Sequence, residues 1–491
     1  MKNIPFEGKS YKNVLSEMQS FGKNDANYMD AKTWSLVYHL DEKHTQFLKE
    51  AHGLYFSENA LNPMAFKSLK KFEHEVVQMA GSLLNAGQDV VGTLTSGGTE
   101  SCLLPVMTYR ELASSKKRFT KIKPEMIAPA SIHVAWFKAA KYFGVKMITT
   151  PLTSEFKMDV DILKQKINKN TIMIVASAPS YPHGVIDPIE EIGEIARINK
   201  IPFHVDSCVG GFILPFAEQI GYKLPEFDFR VSGVTSISAD IHKYGFAAKG
   251  ASILLYRNIQ YLKHQFFVHQ DWPGGVFASP ALLGTRPGGP IAAAWAAINA
   301  LGQTGYQDIA RRTMATTKKL MIGINNIDGL AIMGRPHASL FGYCSTDPEL
   351  NIFAVGDVMG SKGWYIDRLQ RPEGLHAMVT PAHENVAEQY LFDLEQAVTQ
   401  VRADPDRGAH GNAAMYGMIA KIPFRGVVKK EVMKMMEKMY GPDCEMPMEQ
   451  SGKEPFSIRV GARIMNFFNQ IAYKMNELPM AAIQSNLSVY L

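Results

Sequence analysis

From about residue 90 to residue 206 the chain alternates between two kinds of segment, and this alternation limits the possible folds more than any other feature. Short apolar runs, "VVGTLT", "EMIAPA", "VKMITT", "TIMIVASA" and "IPFHVD", are separated by stretches with helical spacing of apolar positions, such as "HVAWFKAAKYFG" and "PIEEIGEIARINK". Strand-length runs this apolar have no polar face to turn to water, so each must be covered on both sides. The pattern predicts an α/β fold with a mostly parallel sheet flanked by helices. Ligands in such sheets gather outside the carboxyl ends of the strands.

The rest of the chain is arranged around that block. Residues 1–60 read as a helical arm, and "FKSLKKFEHEVVQMAGSLLN" from Phe66 has helical recurrence. The large ligand-binding domain is expected over 61–315. Beyond a buried helix containing "PIAAAWAAINALG", the runs "LAIMG", "SLFGYCS" and "LHAMVTP" and the helices "FAVGDVMGSK" and "ENVAEQYLFDLEQAVTQV" predict a smaller α+β domain over 316–450. Residues 451–491 form a C-terminal extension with a possible amphipathic helix, "IMNFFNQIAYKM", expected to cover a dimer contact or the substrate entrance.

Composition narrows the function. A chain of 491 residues with 46% hydrophobic and 20% charged content is that of a soluble globular protein with large cores. A net charge of +5 over this length argues neither for nucleic acid nor for an anionic membrane. Cys102, Cys208, Cys344 and Cys444 form no Cys-x-x-Cys pair, which fits a reducing, cytoplasmic compartment and argues against a zinc site; no metal is expected. Charge interrupts the amino-terminal residues every few positions, so neither a signal peptide nor a membrane span is expected there.

Four places on this framework carry chemistry. In "VGTLTSGGTESCLLPV" an apolar run ends in a bare turn, Gly97 and Gly98, followed by Thr99 and a helical pattern. Amide groups in a first helical turn attract phosphate, although Thr99 could equally cap an ordinary helix. His133 follows the strand "EMIAPA", Asp206 ends "FHVD", and Lys243 follows a run of Ser, Ala and Asp in "SISADIHKYG". Singly these are a surface histidine, a turn former and a solvated lysine. Together they supply the groups that pyridoxal 5'-phosphate chemistry needs. Lys243 would form the Schiff base, Asp206 would keep the ring nitrogen protonated, and His133 would stack on the ring. Gly97, Gly98, Thr99 and His242 would hold the phosphate.

The stretches "LTSGGTES", "PHGVIDP", "HVDSCVGGF", "FDFRVSGVTSISADIHKYGFAAKGAS", "QFFVHQDWPGGVFASP" and "GTRPGG" resemble the sphingosine-1-phosphate lyase family, over about residues 35 to 420. The resemblance implies fold type I, a pyridoxal phosphate cofactor and a homodimer with shared active sites. It implies retro-aldol cleavage of a phosphorylated long-chain base into phosphoethanolamine and a fatty aldehyde. It supports the roles of Lys243, Asp206 and His133, places Thr285 and Gly289 near the partner's cofactor phosphate, and puts Tyr38, Tyr181, Lys249 and Tyr416 along the substrate entrance. Lys249 or Tyr181 is expected to move protons, though Lys249 could instead clamp phosphate and Tyr181 could be structural.

Some positions depart from the family pattern. Asn62, in "NALNP", stands where relatives carry a histidine near the substrate phosphate, and asparagine cannot supply that charge. Ser207 and Thr285 replace alanine and serine. The amino-terminal membrane span of eukaryotic relatives is not expected here, so lipid would be met at a membrane surface or in dispersed form. Two other functions stay open: an amino-acid decarboxylase of the same fold, and a scaffold that keeps the fold without the chemistry.

Overall fold

The computed structural model describes residues 3–116, 123–404, 413, 417 and 425–444. The chain divides into two compact units, one of Tyr28–Tyr343 with His376–Leu391 and the other of Met1–Asn27, Cys344–Leu375 and Phe392–Leu491.

The first unit is built on a seven-stranded sheet. Its strands are β1 (Val91–Thr95), β2 (Glu125–Pro129), β3 (Lys146–Thr150), β4 (Thr171–Ser177), β5 (Phe203–Asp206), β6 (Val234–Ala239) and β7 (Ser252–Tyr256), in the order β1-β7-β6-β5-β4-β2-β3. The five apolar runs of the sequence are β1 to β5. Strands β2 to β6 pair in parallel, whereas β7 runs antiparallel to both β1 and β6, so the sheet is mostly parallel as expected.

Alternation along each strand divides the core in two. Ile127, Ile174, Ala176, Val205, Ile237 and Ile253 pack with the helices Lys67–Leu83, Ile189–Ile198 and Gly288–Asn326. Met126, Ala128, Met173, Val175 and Leu254 face the other way, onto Leu104, Val106, Trp136 and Ala139 of the helices Gly98–Lys116 and Ala135–Phe143. Successive side chains on a strand point to opposite faces, so this double burial is what the absence of a polar face required. Each fully buried Ile or Val contributes about 1.5–3 kcal/mol.

Strand β6, "VTSISA", is buried throughout although half of it is hydroxyl. Its hydroxyls find partners inside. Thr235 donates to the Phe203 carbonyl at 2.9 Å, and Ser236 lies 2.6 Å from the Tyr109 hydroxyl and 2.8 Å from His204 Nδ1. Satisfied polar groups of this kind can be buried without a net penalty.

An antiparallel ribbon of β8 (Phe267–His269) and β9 (Phe277–Ser279) leaves Phe267, Val268, Trp272 and Val276 exposed. A further sheet has the order β10-β11-β13-β12, from β10 (Leu330–Ile332), β11 (Leu340–Ser345), β12 (Asp367–Gln370) and β13 (Glu373–Met378). In the second unit Asn351 caps the helix Ile352–Ser361, and Asp393 accepts from Trp364 Nε1 and Lys362 Nζ, each at 2.9 Å. The amphipathic stretch of the C-terminal extension and Tyr416 fall outside the described residues. Among the described residues no helix is long and apolar enough to cross a membrane.

Candidate active site

The strand directions bring the sequence-predicted residues to one edge of the sheet. β7 reverses direction relative to both neighbours, so β1 runs the same way as β2 to β6. The carboxyl ends of β1, β2, β4, β5 and β6 therefore share an edge and lead to Gly97, His133, Tyr181, Asp206 and Lys243 respectively. β7 starts at that edge, and Lys249 lies just before it. One antiparallel strand thus delivers a second lysine where the parallel strands deliver the first.

Asp206 is buried and held by several donors. Its Oδ2 accepts from the indole Nε1 of Trp136 at 2.8 Å and from Cys102 Sγ at 3.7 Å, while Oδ1 accepts from the Cys208 amide at 3.1 Å. Burial alone would raise its pKa, but the Trp136 hydrogen bond and the nearby His133 and His204 hold it below the ordinary value. The group stays anionic. Cys102, Asp206 and Cys208 have ligand atoms within 4.8 Å of one another. Burial pushes the Cys102 thiol up to about 12, and the Cys208 thiol is raised by its bond to Cys102 and by burial, so both act here as neutral neighbours of the carboxylate.

Lys243 Nζ lies 2.8 Å from Asp240 Oδ2, and Asp240 is buried with its Oδ1 unpartnered. Burial works against the Lys243 charge, but Asp240 outweighs it and the pKa is raised. The glycine turn lies beside this pair. A Cβ on Gly98 would come within 2.7 Å of Asp240 Oδ2, and one on Gly97 would face His242 Cε1 at 3.5 Å. Gly98 opens the helix Gly98–Lys116, whose first-turn amides have no partner within the helix. His242 Nδ1 accepts from the Ala251 amide at 3.2 Å, which places the proton of the neutral ring on Nε2. Burial lowers the His242 pKa and keeps the ring neutral.

The rings of His133 and Tyr181 meet edge to face at 6.2 Å, and Tyr181 stacks on the buried His376 at 4.4 Å. His376 Nε2 donates to the Tyr181 carbonyl at 2.8 Å. Lys249 Nζ donates to the Leu36 carbonyl at 3.0 Å and lies 5.1 Å from the centre of the Tyr38 ring. Partial desolvation and the charge of Lys243 lower the Lys249 pKa. Burial, then Asp240 and Tyr181, raise that of Tyr38.

The surroundings of four other expected residues are as follows. Thr99 is exposed at the helix start. Asn62 is exposed, its side chain accepting from the Met64 amide at 2.9 Å. Thr285 is exposed, and Gly289 is pressed against the His52 ring, 2.5 Å from where its Cβ would be. Sequence reasoning missed Trp136, Asp240 and His376. A tryptophan in a helical pattern reads as core, and an Asp before "IHK" reads as a turn former. Only for Asp240 was there a signal, its i, i+3 spacing to Lys243.

These residues fit pyridoxal 5'-phosphate. The bare turn at a helix start, with the His242 Nε2–H beside it, suits the phosphate. The enclosed amine suits the aldehyde, and the anionic carboxylate suits a protonated ring nitrogen.

Comparison with known proteins agrees. Residues 58–342 match the family model described as the pyridoxal-dependent decarboxylase conserved domain. The sphingosine-1-phosphate lyase of Oryza sativa subsp. japonica is 44% identical over 432 residues, covering 86% of this chain and 79% of the relative. Sphingosine-1-phosphate lyase 1 of Rattus norvegicus is 42% identical over 446 residues, covering 90% and 78%. Among solved structures, a Burkholderia pseudomallei sphingosine-1-phosphate lyase superposes with a TM-score of 0.82 at 34% identity, over 90% of this chain and 98% of that one. A Lactobacillus brevis glutamate decarboxylase reaches 0.72 at 20% identity, over 82% and 95%, which is a likeness of fold.

Proposed function

The chain belongs to the pyridoxal-dependent decarboxylase family and, within it, to the sphingosine-1-phosphate lyases, and from that membership we propose how its residues share the work. It is a carbon–carbon lyase that cleaves phosphorylated long-chain bases, sphingosine 1-phosphate among them, into phosphoethanolamine and a fatty aldehyde. Pyridoxal 5'-phosphate supplies an electron-poor ring that accepts the electron pair released when the bond between the amine-bearing and hydroxyl-bearing carbons breaks.

Lys243 is the amine that would carry the cofactor. Asp206, kept anionic by Trp136, would hold a proton on the ring nitrogen, and His133 would flank the ring. Gly97, Gly98, Thr99 and the His242 Nε2–H would hold the phosphate. Lys249 is suited to take the substrate hydroxyl proton, because desolvation and the charge of Lys243 lower its pKa and make the neutral amine more accessible than in an ordinary lysine. Tyr181, braced by His376, would return a proton to carbon. Tyr38, Asn62 and Tyr416 are assigned to the substrate.

The chain would work as a homodimer, with Thr285 and Gly289 completing the partner's phosphate site. The exposed Phe267, Val268, Trp272 and Val276 support this reading, since an apolar patch of this kind is characteristic of an interface. A cytoplasmic location agrees with the four free cysteines.

The observation that carries this division of labour is the convergence of Lys243, Asp206, His133 and Tyr181 at one sheet edge. It is tested by offering the cofactor-loaded protein sphingosine 1-phosphate and, separately, a panel of amino acids. Long-chain aldehyde from the first and no carbon dioxide from the second is the expected result. The reverse would restore the decarboxylase reading.

A further inference from the structure

Lys243 is paired in a way that the cofactor chemistry does not by itself require. Its Nζ lies 2.8 Å from Asp240 Oδ2, three residues back along the chain, and the Asp240 side chain is 1% exposed. The second oxygen, Oδ1, is buried without a hydrogen-bond partner. Both oxygens sit where a Cβ on Gly98 would go, at 2.7 and 2.9 Å, so the glycine turn leaves room for this carboxylate as well as for a ligand. Asp206 cannot serve the lysine in the same way, because its oxygens are taken up by Trp136, Cys102 and Cys208.

We propose that Asp240 is the positioning residue for Lys243, aiming its nitrogen in the resting chain and balancing its charge. This rests on the reading of Lys243 as the cofactor-bearing amine. The carboxylate is the fixed side of this pair: its side chain is 1% exposed, whereas the Lys243 side chain is 25% exposed and takes its direction from the contact.

The groups around the amine agree with this assignment. Asp240 and Asp206 favour its charge, Lys249 opposes it, and the Cys102, Cys208 and Tyr244 side chains interact with it at close range. His242 is neutral and lies 3.8 Å from the same Asp240 oxygen. Asp240 is the ion-pair partner of Nζ, at 2.8 Å.

The test labels the cofactor-free protein with a limiting amount of a neutral amine reagent at a series of pH values. Modification at Lys243 is read by mass spectrometry, with exposed lysines away from the pair, such as Lys138, as the internal control. In Asp240→Asn the midpoint for Lys243 should fall by about 1–3 pH units, the range expected for loss of an opposite charge at this distance. The labelling rate at high pH should also drop, because the nitrogen is no longer aimed. Asp240→Glu should recover the midpoint. Gly98→Ala, which leaves Asp240 in place but pushes its carboxylate aside, should lower the midpoint too. Asp240→Asn and Gly98→Ala both giving the unaltered midpoint, with an unaltered far-ultraviolet circular dichroism spectrum as a sign of folding, would overturn the proposal. Borohydride capture of pyridoxal 5'-phosphate on the unaltered chain separates the two questions. Capture at Lys243 with an unmoved midpoint sinks the Asp240 assignment alone, whereas no capture there sinks the reading beneath it.

Discussion

The indole Nε1–H of Trp136 donates to Asp206 Oδ2 at 2.8 Å, joining a fully buried helix residue to the carboxylate at the end of β5. The bond has two effects. It offsets part of the cost of burying the carboxylate, and it keeps the carboxylate ionised.

Trp136→Phe keeps most of the packing and removes the donor. Stability should fall by about 1–3 kcal/mol, the cost of leaving a buried acceptor short of a partner. The Asp206 pKa should rise, and cofactor affinity should fall with it. Thermal unfolding and a cofactor titration check both. Unchanged affinity would mean that the indole serves packing only.

Lys249 carries the clearest pH signature. A base with a lowered pKa gives a rate that climbs with pH through that pKa and then levels off below the usual lysine range. Lys249→Met should reduce kcat roughly 10²- to 10⁴-fold and abolish the climb. A variant with an intact profile and only a higher KM for phosphorylated substrate would make Lys249 a phosphate clamp.

Acid should unfold the protein from about pH 6.5 downward. Burial lowers the pKa of His204 to about 3 and those of His183 and His383 to about 4, from an ordinary 6.5. Between those values the unfolded chain binds protons that the folded chain refuses, so stability declines as pH falls. Asp187 acts in the opposite direction. Burial raises it to about 6 from 3.8, so acid favours its folded form over that window. Three histidines against one carboxyl leave a net loss. Melting temperature followed from pH 7 to pH 4 should drop, and a level profile would contradict the assignment.

If the β8–β9 ribbon is the dimer contact, Trp272→Asp combined with Val276→Asp should shift the protein toward monomer. Sedimentation analysis reads this directly. A dimer of unaltered strength would place the interface elsewhere.

Much of this architecture could be read from the residues alone, for a physical reason. β1 to β5 are apolar enough to declare themselves, and residues at the ends of parallel strands face a shared edge, which brought Asp206, His133 and Lys243 within view of one another. β6 stayed hidden because "VTSISA" looks polar until Tyr109, His204 and the Phe203 carbonyl are seen to satisfy its hydroxyls. Trp136 and Asp240 were hidden for a related reason. Their roles depend on which polar atom each presents to a neighbour on another strand or turn, and residue type does not encode that. Asn62, expected among the substrate-binding residues, is exposed in the single chain, where its side chain accepts from the Met64 amide.

The account is tested most directly by treating the enzyme with borohydride while it turns over sphingosine 1-phosphate, then mapping the modified peptide and assaying the remaining activity. The cofactor should be found on the peptide containing Lys243, with release of long-chain aldehyde and phosphoethanolamine falling in step with its capture. Cofactor fixed to a different residue, or aldehyde release that survives full modification of Lys243, would contradict it.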